Sequence, residues 1–507
     1  MAIVGSIYID ILIFATTFLV VAYHYFTWNF DFWKKRNIPY VEPHLFFGNF
    51  QEVALQQTTI GHFLADLYNK MKTDYFGVWV FGTPHLIVRS PEVIKNILVK
   101  DFNYFSDRTI TSDTDADPIA SKTLFFSKNP FWKTLRSKLS PIFTSGKIKT
   151  MIPLMNDAAA DLKEYLQKRT SQTVDMKEVC AKFTTDVVTS CAFGLQGQCF
   201  QHEESPFRDV GRKMFNYNMI NAFRATSYFF APGLVKFLKF TFFDPSIYTF
   251  CTKTFLETIK MREKSGIKRN DLIDMIIEMK KLDSIQGTKL DDDVIVGQPM
   301  QFFAAGFETT SSTISFTLYE MCLNQELQLK LRREINKALD EYNGFTYEAL
   351  KHMELLDKCI KETLRKYPVL PFLDRRCVKD YKMPNSDLFI EKGTPIYIPM
   401  FGLHYDPVYF PNPDKYDPER FSSENTNSRP QYAYIPFGEG PHNCIGERFG
   451  LIGSKLGIAH ILSNFYVEAN EETPVPIIYD SKSFVLQSTV GLPMKVVPYN
   501  RRMSAAA

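Results

Sequence analysis

Between residues 11 and 30 no side chain carries a formal charge. The run, ILIFATTFLVVAYHYFTWNF, is long enough to cross the hydrocarbon core of a bilayer as a helix. Asp10 lies just before it, and Trp28 with several tyrosines marks an interface. Lys34-Lys35-Arg36 follows, and an excess of positive charge places that side in the cytosol. No small-residue cleavage site follows, so the expectation is an uncleaved anchor rather than a removed signal peptide. Pro39, Pro43 and Gly48-Asn49 then stiffen the exit from the membrane. The expected organisation is an anchor at 1–30, a basic, proline-containing hinge at 31–49, one large body at 50–500 and a tail at 501–507.

The body has the length for a large core. The chain is 45% apolar with 45 Phe and 25 Tyr, which suits an enzyme with a greasy interior. A net charge of +3 gives no ground for a nucleic-acid partner. Eight cysteines are scattered with no Cys-x-x-Cys and no zinc spacing, so a disulfide framework is not expected.

Hydrophobic periodicity and turn residues predict a mostly helical body with short strands. Helices are expected at 58–72, after Ser90-Pro91, after Pro130, as a pair within 150–195, from 291 to 325, at 326–340, behind a Thr346 cap, at 355–367 and at 447–466. Strands are expected around a Gly82-Thr83-Pro84 turn, within 382–400 and at 483–487.

One cysteine stands apart. Residues 437–446 read FGEGPHNCIG, with Cys444 inside a glycine-rich bend. Glycines let the backbone turn tightly on both sides of the sulfur, and a thiolate held there could bind a metal through an open axial position. A buried structural cysteine in a chance Gly-rich loop is the plain alternative.

The stretch resembles the haem-binding loop of the cytochrome P450 family, with Phe437, Gly438, Gly440, His442, Cys444 and Gly446 in the matching places. His442 stands where the family most often has arginine. The resemblance implies a mainly α fold with small β-sheets behind a single N-terminal transmembrane helix. It also implies haem b with Cys444 as axial ligand and Phe437 near the sulfur.

Further matches follow in family order. Trp132 and Arg136, four apart on one helical face, correspond to residues that reach a haem propionate, as does Arg375. Ala305-Gly306-Phe307-Glu308-Thr309 matches the oxygen-activation pattern. A glycine there lets something flat approach, Thr309 can bond back to a helix carbonyl, and Glu308 supplies an exchangeable proton. The resemblance gives Thr309 and Glu308 the passage of protons to dioxygen. Glu362 and Arg365, with Arg420, match a buried triad that holds the cysteine loop. Phe125, Phe126, Phe307, Pro371, Phe372 and Phe484 are the candidate substrate contacts. The aromatic stretch 201–250 reads either as ordinary core or as a lid partly sunk in the membrane.

No dinucleotide fingerprint or flavin domain is present. Electrons are therefore expected from NADPH through NADPH–cytochrome P450 reductase, with cytochrome b5 as a second candidate donor. Lys133, Lys138, Arg448 and Lys455 are the candidate docking cations. The phrases YFSDR, FWKTLRSKLSPIFTSGK, LPFLDR and FGEGPHNCIGERFG look like those of insect family-6 microsomal enzymes, which implies oxidation of plant toxins or insecticides at the endoplasmic reticulum. A steroid or fatty-acid hydroxylase, an oxygen-independent isomerase or dehydratase, and a haem-binding carrier are the competing readings. The intact Glu308-Thr309 pair argues against the last two.

Overall fold

In a computed structural model, residues 7–499 are described apart from 283 and 286. The expected tail at 501–507 lies outside the described residues. The chain falls into two compact units where one body was expected over 50–500. The first contains residues up to Thr109 with Phe372–Leu403, and the second contains Ile110–Pro371 with the residues from His404 onward.

The first unit opens with the anchor helix, Ile7–Thr27, displaced toward the N-terminus of the expected 11–30 span. None of the stretch Tyr8–Thr27 is buried, so it is long and apolar enough to cross a membrane. Residue 29 already belongs to the folded body, because Trp79 Nε1 donates to the Asn29 carbonyl at 2.9 Å.

The expected hinge at 31–49 is part of that body. Trp33 is 2% exposed and its Nε1 donates to the Val78 carbonyl at 3.2 Å. A Cβ at Gly77 would lie 2.2 Å from the Trp33 ring, so the glycine makes room for the indole. Asn49 accepts from the Trp79 N–H at 2.8 Å and donates to the Glu42 carbonyl at 2.8 Å. The basic cluster is partly neutralised, Lys35 by Asp31 at 2.5 Å and Arg36 by Glu391 at 2.5 Å.

A four-stranded sheet follows. Tyr75–Val80 pairs antiparallel with Thr83–Val88, which runs parallel to Pro395–Ile398, itself antiparallel to Leu373–Arg376. The turn falls at Phe81-Gly82, one step before the expected place. Phe81 takes φ 53°, while Thr83 and Pro84 already face Val80 and Trp79 in register. Ser90 occupies the cap position before Pro91–Lys95, but its side chain makes no cap bond.

The second unit is helical. Its centre is Asp292–Leu323, started by Asp291, whose side chain accepts from the Val294 N–H at 3.1 Å. The helix is buried almost all round, as its lack of a single apolar stripe predicts. It crosses Met176–Val188 at Gly306, where a Cβ would stand 2.9 Å from Val188 Cγ2. It packs on Glu447–Asn464 at Gly457, where a Cβ would stand 2.9 Å from Ile314 Cδ1. Two small residues thus let three helices approach closely. Phe465–Glu468, Pro493–Pro498 and Thr173–Asp175 form a small antiparallel sheet. The strand expected at 483–487 is a bend instead. Its ladder partners lie elsewhere, the Leu486 N–H bonding the Val369 carbonyl at 2.9 Å.

Candidate functional site

The cysteine loop is shaped by two left-handed glycines, Gly438 at φ 69° and Gly440 at φ 71°. They return the chain so that the Cys444 N–H donates to the Phe437 carbonyl at 2.8 Å. Gly446 differs from expectation. Its φ is −93° and a Cβ there would meet only Phe143 at 3.9 Å, so the backbone does not demand glycine for the exit. Glu447–Asn464 begins directly after the loop, which puts a helix N-terminus next to the sulfur in sequence.

Cys444 is the exposed one among eight free cysteines; the other seven are buried. Burial pushes the thiols of Cys191, Cys251 and Cys322 up to about 12 and that of Cys377 to about 11. Those groups are inert, whereas Cys444 is open to a ligand.

Phe131–Leu139 brings Trp132 and Arg136 to this loop. The Arg136 guanidinium grips the residue before the cysteine, donating to the Asn443 carbonyl at 2.9 Å and to its Oδ1 at 2.8 Å. Burial lowers its pKa, and the charge on Cys444 opposes that shift. The Trp132 ring lies 3.7 Å from the His442 ring. Arg375 sits in the first unit, 2% exposed, with Nη1 on the Asp374 carbonyl at 2.7 Å and no hydrogen-bond partner for Nε. Burial, with Arg108 adding to it, pushes its pKa down to about 9.

The triad residues meet. Arg365 donates to both Glu362 oxygens at 2.7 and 2.9 Å, and Arg420 Nε donates to Oε1 at 3.2 Å. Glu362 and Arg365 are fully buried, so this is a fixed network rather than a surface pair. It reaches the cysteine loop through His404. Arg365 Nη1 donates to the His404 carbonyl at 3.1 Å, and His404 Nε2 accepts from the Ile435 N–H at 3.2 Å. The Ile435 carbonyl in turn accepts from the Gly438 N–H at 2.9 Å.

On the central helix, Gln301, Ala305 and Thr309 recur every fourth residue and so share one stripe. Ala305 is exposed and Thr309 half-buried within a helix otherwise closed. The Thr309 hydroxyl donates back to the Ala305 carbonyl at 2.7 Å. Gly306 does not face the stripe; it serves the helix crossing at Val188. Glu308 is 3% exposed and bound to Lys177, whose Nζ lies 2.7 Å from Oε1 and 2.8 Å from Ser311 Oγ.

A cavity of ≈ 150 Å³ opens on that stripe. Phe125, Phe126, Phe229, Phe242, Phe243 and Phe484 line it. Phe484 stacks on Phe229 with centroids 4.2 Å apart. Phe307 points elsewhere. It is 0% exposed and packs on Phe303 and Phe215 at 5.1 and 5.4 Å. Two residues along a helix turn a side chain about 200°, which takes position 307 away from the 305/309 stripe. Leu370, not Pro371, lines the cavity, and Phe372 packs on Tyr397 in the first unit at 5.5 Å. Among the docking cations Lys133, Lys138 and Arg448 are exposed. Lys455 is spent internally, 2.9 Å from Asp357 Oδ1 and 3.3 Å from the Leu350 carbonyl.

Sequence reasoning missed Asn443, His404, Lys177 and Gln301. A signal existed for Gln301, a polar residue in a buried helix. None existed for the other three, whose partners lie far along the chain.

Among the described residues no group of three or more His, Cys, Asp or Glu could hold a bare metal ion. One open sulfur beside an arginine-clamped loop, facing no second ligand set, fits a metal that arrives inside its own prosthetic group. The buried Arg375 with a vacant Nε fits an anionic partner.

The family model described as Cytochrome P450 matches residues 38–492. The chain is 41% identical to cytochrome P450 6k1 of Blattella germanica, with 99% of each chain covered. It is 39% identical to cytochrome P450 6j1 of the same species, over 98% of this chain and 99% of the relative. With probable cytochrome P450 6g2 of Drosophila melanogaster the identity is 37%, over 96% and 98%.

Proposed function

The chain belongs to the cytochrome P450 family and is a haem-thiolate monooxygenase, and we propose that it oxidises planar apolar molecules of foreign origin, plant toxins or insecticides. The observation that carries this reading is the wall of the cavity at Ala305 and Thr309. Seven phenylalanine rings line it. Such a wall offers π faces and little hydrogen bonding, which suits flat, poorly solvated substrates. The chain is similar to insect family-6 and family-9 cytochromes P450, and its resemblance to the family-6 enzymes implies the same substrate class.

Cys444 would ligate the haem iron. Phe437, Gly438 and Ala305 would border the ring, and Trp132, Arg136 and His442 would take its propionates. Bound in this way, haem b supplies the redox chemistry, taking electrons that originate on NADPH and activating dioxygen for insertion of one oxygen atom.

The chain's own residues manage protons and water. Thr309 keeps its hydroxyl hydrogen on the Ala305 carbonyl, which leaves its oxygen as an acceptor toward the cavity. A water donating to that oxygen is held where a proton is needed. Glu308 lies on the next position with Lys177, a side chain still 16% exposed. Exchange of that ion pair would let Glu308 carry a proton inward from the solvent side. The aromatic wall excludes bulk water from the reacting atoms.

Lys133, Lys138 and Arg448 offer positive charge to an acidic donor surface, which suits NADPH–cytochrome P450 reductase and, as a second donor, cytochrome b5. The anchor helix and the downstream basic residues favour the endoplasmic reticulum membrane with the catalytic body in the cytosol.

The test is turnover by the reductase-coupled protein on furanocoumarins, pyrethroids, neonicotinoids, ecdysteroids and fatty acids. Products are expected from the flat and aromatic members. Turnover confined to ecdysteroids or fatty acids would reject the foreign-compound reading.

A further inference from the structure

The cavity has two walls of different origin. One is the segment 117–126, which carries Phe125 and Phe126. It is stapled to the central helix along its length. Lys122 Nζ lies 2.6 Å from Asp291 and 2.9 Å from Asp293. The Leu124 N–H bonds Gln298 Oε1 at 3.2 Å and the Phe125 N–H bonds Gln301 Oε1 at 2.7 Å. Gln298 returns a bond to the Lys122 carbonyl at 3.0 Å. This wall moves only with the central helix.

The other wall is the stretch from Tyr228 to Tyr248, which brings Phe229, Phe242 and Phe243. It consists of a helix end, the short helix Pro232–Leu238, a coil and the first turn of the helix Pro245–Ser265, which carries Tyr248, with Phe237 81% exposed. Among the described residues no comparable set of hydrogen bonds and ion pairs staples 231–248 to the central helix.

Ring contacts join the walls, Phe126 packing on Tyr228 and Phe242 at 6.0 and 5.2 Å, and among the described residues one buried carboxylate adds hydrogen bonds between them. Asp117 is 2% exposed. Its Oδ1 accepts from the Ala120 N–H at 2.9 Å, within its own segment. Its Oδ2 accepts from the Tyr248 hydroxyl at 2.5 Å and the Phe242 N–H at 2.9 Å, with the Tyr228 hydroxyl farther away at 3.4 Å. Two pieces of the opposite wall therefore donate to one oxygen, while the Tyr228 hydroxyl gives its hydrogen to the Phe240 carbonyl at 2.9 Å. The other links are weaker. Lys239 reaches Asp113 and Asp115 at 3.3 Å as exposed pairs, and one backbone bond joins the Thr111 N–H to the Tyr228 carbonyl at 3.1 Å.

We propose that Asp117 is the positioning residue that latches the Tyr228–Tyr248 wall over the cavity, and so sets by size which molecules reach Thr309 and how fast they exchange. The inference rests on the cavity being the substrate site. Opening the wall by more than a fraction of an ångström breaks the Phe242 and Tyr248 bonds together. A small ligand needs no such opening and a bulky one does. Each bond ends on a buried carboxylate, where hydrogen bonds are strongest and leaving one unmade is most unfavourable.

The test uses the haem-loaded full-length protein and two azoles, imidazole and a bulky multi-ring azole. Both ligate haem iron whatever the natural substrate is, so the result stands apart from the substrate reading. Asp117→Asn keeps an acceptor for the Ala120 N–H but turns a donor toward the Phe242 N–H. Tyr248→Phe removes one hydroxyl and leaves the carboxylate, so it serves if the first variant does not load haem. Losing one bond to a charged group shifts a two-state opening by about tenfold or more. Both rate constants for the bulky azole should rise by about that factor, with imidazole rates within about twofold of the parent. Amide hydrogen exchange in residues 228–248 should accelerate in parallel, a readout that needs no turnover. Bulky-azole rates and amide exchange that stay at the parent values in the loaded variants overturn the latch.

Discussion

The roles proposed for Thr309 and Cys444 rest on different kinds of exposure. Thr309 is a half-open hydroxyl in a closed helix, held by its bond to the Ala305 carbonyl. Thr309→Ala removes the acceptor that fixes water, so product per NADPH should fall by roughly tenfold or more, with peroxide taking the difference. Thr309→Ser should restore most of the coupling. Coupling that is equal in Thr309→Ala and the parent contradicts the role. Cys444 is exposed, so its sulfur contributes little packing. Cys444→Ser should therefore fold, with a thermal midpoint near that of the parent, yet lose the thiolate-type carbon monoxide spectrum. A retained thiolate spectrum would move the ligand to another residue. The cavity position of Thr309 and the glycine bend before Cys444 were legible in the sequence because each motif is local. Phe307 was not, because which side of a buried helix faces the cavity depends on its neighbours in space.

Helix contacts and the triad act one level up. At Gly306 the crossing leaves 2.9 Å between a would-be Cβ and Val188. Gly306→Val should cost about 1–3 kcal/mol by overpacking, read as a lower urea midpoint. Val188→Ala in the same chain should recover most of it, and no recovery would place the strain elsewhere. His404 links the triad to the cysteine loop as a neutral acceptor. Burial, with Arg365 adding to it, pushes its pKa down to about 3. The unfolded chain therefore binds a proton below about 6.5 that the folded chain refuses. The contribution of His404 is complete above that pH and is lost as pH falls. Holo-protein stability should drop progressively between about pH 6.5 and about pH 3, and His404→Gln, which keeps an acceptor for the Ile435 N–H, should flatten that slope. An unchanged slope would remove His404 from the linkage. Caps at Asp291 and Thr346 were readable because each lies three residues from its partner. His404, Lys177 and Asp117 were not, because their partners lie from tens to more than a hundred positions away and no local pattern marks them.

Across the whole molecule, the boundary between anchor and body falls earlier than prolines and charges suggest. Proline spacing at 39 and 43 reads as a stiff connector, but burial of Trp33, Ile38 and Val41 is a tertiary fact that composition does not carry. Removing residues up to 27 should release the protein from vesicles while keeping its haem spectrum. Removing residues up to 49 should also expose the Trp33 site, at a cost of about 3–5 kcal/mol for the tryptophan alone. Flotation and thermal melting of the two truncations check this, and equal stability would restore the hinge.

The most direct test of the central claim is isotope incorporation. The reductase-coupled protein would receive NADPH, a turned-over aromatic substrate and labelled dioxygen, beside its Thr309→Ala variant. One labelled oxygen atom in the product, with peroxide replacing product in the variant, is the predicted result. A product whose oxygen comes from water, or one formed without reductase, would contradict the account.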